Sequence, residues 1–344
     1  MFSRRTQISI LFLLMLVLPS NVLAVDRGIN IVGDGSQSKQ RGMGEVYILD
    51  KAGNEVGLFK ESHALVIGVS RYEYGWPQLP GVLNDIRMVR EALEKHGFNV
   101  VVVEDPDKKQ LEDAIHQFIH MYGQRQSTRL VFYFAGHGHT LQLAYGGDMG
   151  YIVPRDAPNP NDDKPGFLER AIDMQQFEVY AKRIQAKHAL FLFDSCFSGS
   201  IFSTSRAVPE HISYKTSLPV RQFITAGSAN ETVPDESVFR AQFIVALEGA
   251  GDVDHDGYLT GVELGEFLQK TVTNYTKGYQ HPQYGKIRDR NLDKGDFVFP
   301  VNLASLPPTA GKVTPEKADI PRAPAPIVLR GHLQINVNVS KSRV

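Results

Sequence analysis

The strongest constraint on this chain is an apolar run that ends abruptly. Ala189-Leu190-Phe191-Leu192-Phe193 is short and uniformly apolar. It reads as a strand buried on both faces, as the strands of parallel sheets are. Asp194-Ser195-Cys196 follows at once, then Phe197-Ser198-Gly199-Ser200. Cys196 is the one cysteine in 344 residues. Its place at the carboxyl end of a central strand is where open α/β sheets put their ligands. Two readings stand at this point: a nucleophile, or an inert buried thiol.

The surrounding pattern repeats the theme. Strands are expected at Ala64–Val69, Asn99–Val103, Arg129–Phe134, Met149–Val153 and Val220–Thr225, with a last one at Phe297–Val301. Amphipathic helices are expected at about Asn84–His96, Lys108–Met121, Asp173–Ile184, Val238–Leu247 and Val262–Val272. Strands alternating with helices imply a mostly parallel sheet covered by helices, an α/β fold. A hairpin is expected between Glu45–Leu49 and Val56–Phe59, within an N-terminal extension over 25–61. Residues 201–219 form a polar connector, and 303–344 a Pro-rich tail with a terminal alternating strand.

Net charge is −1 with acids and bases mixed, which excludes a nucleic-acid footprint. Arg4 and Arg5, the apolar run Ile8–Leu18 and Val22-Leu23-Ala24 have the order of a cleavable leader over 1–24. The expected product is exported, periplasmic or secreted, with no membrane span after cleavage. An unpaired cysteine in such a protein points to a reactive thiol or an intermolecular bridge, which strengthens the nucleophile reading.

A thiol acting as a nucleophile commonly has a nearby histidine. Of eleven histidines, His137 copies the context of Cys196. It follows an apolar strand, in Ala135-Gly136-His137-Gly138-His139. Both side chains emerge at one sheet edge if the two strands are neighbours. His139 is a possible substitute. His188 starts the cysteine strand and belongs at the opposite edge. His96, His116 and His120 fall on helices, and His281 in a loop.

The order strand, Gly-His-Gly, strand, Asp-Ser-Cys-x-Ser-Gly resembles the caspase-like cysteine peptidases, bacterial metacaspase-like members in particular, over about residues 62–302. The resemblance implies a three-layer α/β/α sandwich with a mostly parallel central sheet. It divides the domain into a large-subunit-like part (62–200), the connector, and a small-subunit-like part (220–302). It implies endopeptidase chemistry: Cys196 attacks, His137 protonates the leaving amine and assists deacylation, and the backbone N–H groups of Gly138 and Cys196 stabilise the oxyanion, with the group that deprotonates the thiol left open. It further implies cleavage of protein or peptide substrates after Arg or Lys, selected by Asp85 and Asp194. Alternatively, Asp85 caps the helix it begins and Asp194 holds a nearby loop. Ala135 departs from the pattern, since many metacaspases carry Ser two residues before the histidine. Arg206 and Lys215 in the connector are candidate self-cleavage points. A catalytically silent scaffold and a transpeptidase on the same dyad are the competing functions, and no organic cofactor is expected.

One motif stands apart. Residues 252–263 match an EF-hand loop, with Asp252, Asp254 and Asp256 at positions 1, 3 and 5 and Gly257 at the sharp turn. Tyr258 supplies its carbonyl, Thr260 a direct or water-borne contact, and Glu263 both carboxylate oxygens. The expectation is one Ca²⁺. The loop has no visible twin, so affinity should be modest.

Overall fold

The computed structural model describes residues 46–49, 55–197, 202–204, 217–229, 231 and 236–301. The expected leader, residues 198–200, Arg206, Lys215 and the Pro-rich tail lie outside these. In chain order the elements are β1 (Val46–Leu49), β2 (Glu55–Phe59), β3 (Glu61–Gly68), α1 (Val82–Lys95), β4 (Asn99–Glu104), α2 (Lys108–Tyr122) and β5 (Thr128–Ala135). Then come β6 (Gly138–Gln142), β7 (Asp148–Ile152), α3 (Lys164–Arg170), β8 (Ile172–Asp173), α4 (Met174–Arg183) and β9 (His188–Cys196). The last are β10 (Phe202–Thr204), β11 (Val220–Gly227), α5 (Val238–Val245), β12 (Tyr258–Thr260), α6 (Gly261–Tyr275), β13 (Gln283–Ile287) and β14 (Val298–Pro300).

The central sheet has seven strands in the order β10-β13-β11-β9-β5-β3-β4. β11, β9, β5, β3 and β4 run parallel, and β13 and β10 add antiparallel at one edge. β9 is therefore the middle strand, as its uniform apolarity requires. Alternation sorts the strand residues onto two faces. Leu130, Phe132, Phe134, Phe191 and Phe193 pack with Leu111, Ile115 and Phe118 of α2 and Phe177 of α4. Val131, Tyr133, Ala135, Leu190 and Leu192 pack with Ile86, Val89 and Leu93 of α1, Phe239 and Phe243 of α5, and Leu268 of α6. Asp194 continues the second series and so turns toward α1 and α5.

Local chemistry starts the helices. Asp107 caps α2 by accepting from the Gln110 N–H, and the Gln110 side chain answers it in a capping box; such a cap is worth about 1 kcal/mol. Asp173 and Ser237 cap α4 and α5 likewise. α1 begins after Gly81, which has no side chain to cap with, and Asp85 lies in its first turn. The β1–β2 hairpin is antiparallel as expected.

One expectation is corrected: α5 ends at Val245, and Ala246–Ala250 form a π-helical turn in which Gly249 sits at φ 108°. The strand expected at Phe297–Val301 is present as β14, which lies outside the central sheet and pairs with β12 beside the acidic loop. Among the described residues no helix is long and apolar enough to cross a membrane.

Candidate active site

β5 and β9 are adjacent and parallel, with Ala135 paired to Asp194. The chain segments leaving their carboxyl ends therefore start side by side. β9 then carries one extra residue. Phe193 pairs with Thr225, but Cys196 pairs with Gly227, so three steps on β9 match two on β11. Such a bulge re-aims the side chains at a strand end. The Ser195 hydroxyl, fully buried, donates to the Gly136 carbonyl at 2.6 Å. This bond ties the Asp-Ser-Cys segment to the Gly-His-Gly segment. Gly138 has a steric reason to be glycine: a Cβ there would lie 2.7 Å from the Cys196 carbonyl oxygen and 2.8 Å from the Phe197 ring. It opens β6, paired with Ile152.

His137 is held on several sides. Its N–H donates to the Tyr72 hydroxyl at 2.7 Å. Its ring stacks on Trp76 at 5.1 Å and meets Tyr72 at 4.6 Å. Its Nε2 lies 2.8 Å from the Pro77 carbonyl. A carbonyl only accepts, so that contact assigns the proton to Nε2 and leaves Nδ1 as the basic nitrogen of the neutral ring. Burial pulls the ring below the usual imidazole range, and the Pro77 carbonyl only partly offsets this. His139 lies on β6 between Trp76 and Phe167. His188 is buried at the opposite end of β9, against the Leu218 carbonyl, as expected.

Cys196 is 9% exposed. Burial, then the charges of Glu231 and Asp194, push its thiol up to about 12. Glu231 lies across Gly227: a Cβ on that glycine would be 2.5 Å from the Cys196 Sγ and 2.7 Å from Glu231 Oε2. Glu231 accepts from the N–H groups of Ser228 (2.9 Å) and His281 (2.8 Å) and pairs with His281 Nδ1 at 2.7 Å. Sequence reasoning left His281 as an ordinary loop residue; the fold attaches it to the wall of the thiol site.

Asp194 and Asp85 are each 3% exposed. Tyr133 donates its hydroxyl to Asp194 Oδ2 at 2.8 Å, while Asp194 Oδ1 is buried and meets no donor within hydrogen-bond distance among the described residues. Burial raises the Asp194 carboxyl to about 6, against partial relief from the Ser237 and Tyr133 hydroxyls. Asp85 Oδ1 accepts from Arg240 Nε at 2.8 Å, an ion pair buried between α1 and α5. Arg240 was missed in the sequence, although a lone cation in Val238-Phe239-Arg240-Ala241-Gln242-Phe243 is a signal. Ala135 sits on the same face, 1% exposed, where a serine would have offered another hydroxyl.

The acidic loop gathers three of its six expected ligands. Carboxylate oxygens of Asp252, Asp254 and Asp256 lie within 4.8 Å of one another. Gly257 turns the chain at φ 91° and donates its N–H to Asp252 Oδ2 at 3.0 Å. The Glu263 carboxylate is engaged elsewhere in the loop. Its Oε2 accepts from the Thr260 N–H and hydroxyl, in the capping box of α6, and its Oε1 from the Val253 N–H. Tyr258 pairs with Pro300, and its hydroxyl accepts from the Leu49 N–H. Clustered hard oxygens suit Ca²⁺ by chemistry.

A sequence profile described as the caspase domain, Peptidase_C14, matches residues 61–284. No curated protein matches the chain. Among solved structures it is similar to caspase-1 from Spodoptera frugiperda, at 14% identity and a TM-score of 0.46, over 68% of this chain and 89% of that one. A protein from Geobacter sulfurreducens gives the same identity, TM-score and coverage here, over 96% of its own chain. With the profile spanning well over half of its length, the chain belongs to the caspase-domain family of cysteine peptidases.

Proposed function

We propose that this protein is a cysteine endopeptidase working through a Cys196–His137 dyad and cleaving after Arg or Lys. The observation that carries the reading is the tie between the two motif segments: β5 and β9 are neighbours, and the Ser195–Gly136 bond locks their exits together. In the resting site the thiol is protonated and His137 neutral. As the Cys196 sulfur bonds to the substrate carbonyl carbon, the thiol proton passes to His137 Nδ1. The N–H groups of Gly138 and Cys196 stabilise the oxyanion. His137 then protonates the leaving amine. In deacylation it takes a proton from water, hydroxide attacks the thioester, and the sulfur regains its proton.

Asp194 supports the basic preference, because a buried carboxylate oxygen without a donor is costly unless a cation reaches it. Asp252, Asp254 and Asp256 would hold Ca²⁺, with Tyr258 and Thr260 as further ligands and Glu263 joining them by exchanging its hydrogen bonds to Val253 and Thr260 for the ion. Bound there, the ion would supply positive charge that holds the loop between α5 and α6.

The test is a peptide panel with Arg, Lys or Asp before the scissile bond, run on wild type and Cys196→Ala. Turnover of the Arg and Lys members should fall about 10³-fold or more in the variant. Undiminished turnover there would remove Cys196 from the mechanism.

A further inference from the structure

Among the described residues, Arg240 is a buried cation beside the proposed substrate pocket that the mechanism does not use. It lies on α5 between Phe239 and Phe243, whose rings enter the core, and is 7% exposed itself. Its N–H caps onto the Ser237 hydroxyl at 2.9 Å, which fixes the first turn of α5. Its Nε reaches Asp85 Oδ1, and its charge is felt at Asp194. Asp85 and Asp194 arrive from α1 and β9, and Arg240 is the cation set between them.

We propose that Arg240 is a specificity-determining residue that competes with the substrate's own basic side chain for Asp85. This rests on the basic-pocket reading above. In the resting enzyme the guanidinium of Arg240 holds the place a substrate guanidinium would take. A substrate Arg gains Asp85 only as Arg240 gives it up, so Arg240 sets a threshold that weakly bound basic side chains do not pass. A lysine, as a point charge without the planar fork, competes less well than arginine for a carboxylate already engaged.

The experiment compares wild type with Arg240→Ala on Arg, Lys and Asp peptides, and measures inhibition by agmatine, a free guanidinium. The variant is expected to lower KM for Arg peptides about tenfold and to bind agmatine correspondingly tighter, with agmatine raising its melting temperature more than that of wild type. A purely structural role predicts lower stability with KM unchanged or raised, and that result in folded variant overturns the proposal. If Arg240→Ala does not fold, Arg240→Gln keeps a donor to Asp85 without the charge and should lower KM in the same direction; no change there also overturns it. If wild type cleaves after Arg and neither variant gains, Arg240 alone loses its role. If neither protein cleaves after Arg or Lys while both cleave another peptide, the basic pocket falls and Arg240 with it.

Discussion

Among the described residues three arginines are buried in this fold, and the two ends of the sheet hold them differently. At the amino end, Arg221 donates to the carbonyls of Ala181, Ile184, Lys187 and Val220. Arg129 donates to the Ser62 hydroxyl and the carbonyls of Val298 and His96, with its guanidinium 4.5 Å over the Phe98 ring. At the carboxyl end, Arg240 is held by the carboxylate of Asp85. A cage of backbone carbonyls belongs to the fold and offers a visiting ligand nothing to compete for. A carboxylate accepts any guanidinium of suitable reach, whether from the chain or from a substrate. The same residue type thus joins elements at one end and faces exchangeable chemistry at the other.

The largest effect expected from this contrast is at Arg221. Arg221→Leu removes donors from several buried carbonyls that join α4 to β9 and β11. The cost should be about 3–5 kcal/mol, read as a lower urea midpoint at unchanged slope. KM of the remaining folded enzyme for Arg peptides should not move. A shift in KM as large as that of Arg240→Ala would show that the two ends are not separate.

Next in size is Asp194. Asp194→Asn keeps the shape but removes the charge that a substrate cation would meet, a loss of about 1.5–3 kcal/mol, or roughly 10–100-fold in kcat/KM for Arg peptides. The raised carboxyl adds a pH signature. Below about 6 the empty site holds Asp194 protonated, and above it ionised. KM for Arg peptides should therefore fall as pH rises through about 6 in wild type and stay flat in Asp194→Asn. Because the folded pKa lies above the unfolded one, Asp194 contributes stability at low pH that is lost as pH rises through the same value. A KM profile identical in both proteins would separate Asp194 from substrate binding.

Much of this site is legible in the sequence because double-sided burial leaves a plain mark. β5 and β9 are nearly pure apolar runs, and each ends at the residues that carry the proposed chemistry. The partners of those residues are harder to read. Arg240 meets Asp85 across 155 positions, and Glu231 meets His281 across 50. No local period encodes such pairs; they follow from which helix covers which face. β13 was unreadable for another reason. Reading Gln283-Tyr284-Gly285-Lys286-Ile287, it lies between β11 and the short edge strand β10, and its mixed burial leaves no uniform apolar run. Glu263 carries two signals at once, since position 12 of a calcium loop is here also the third residue of a capped helix.

The acidic loop extends the comparison to acids for which a metal, rather than a side chain, would be the cation. Extracellular-type loops bind Ca²⁺ at about 10⁻⁴–10⁻³ M, so about 5 mM Ca²⁺ should stabilise the fold by about 1–2 kcal/mol. At this size that is a rise of a few degrees in melting temperature, absent in Asp254→Asn. The loop is joined to α5 through the π turn at Ala246–Ala250, so the measurement also reaches Arg240. Calcium that raises the melting temperature while leaving KM for Arg peptides unchanged would mark the loop as a staple of the C-terminal half. Calcium that lowers KM in wild type but not in Arg240→Ala would mean that the helix carrying Arg240 transmits the state of the loop to the pocket. A melting temperature indifferent to both calcium and chelator would leave the three aspartates as a hydrogen-bonded turn, unlike Asp85, whose cation is built into the fold.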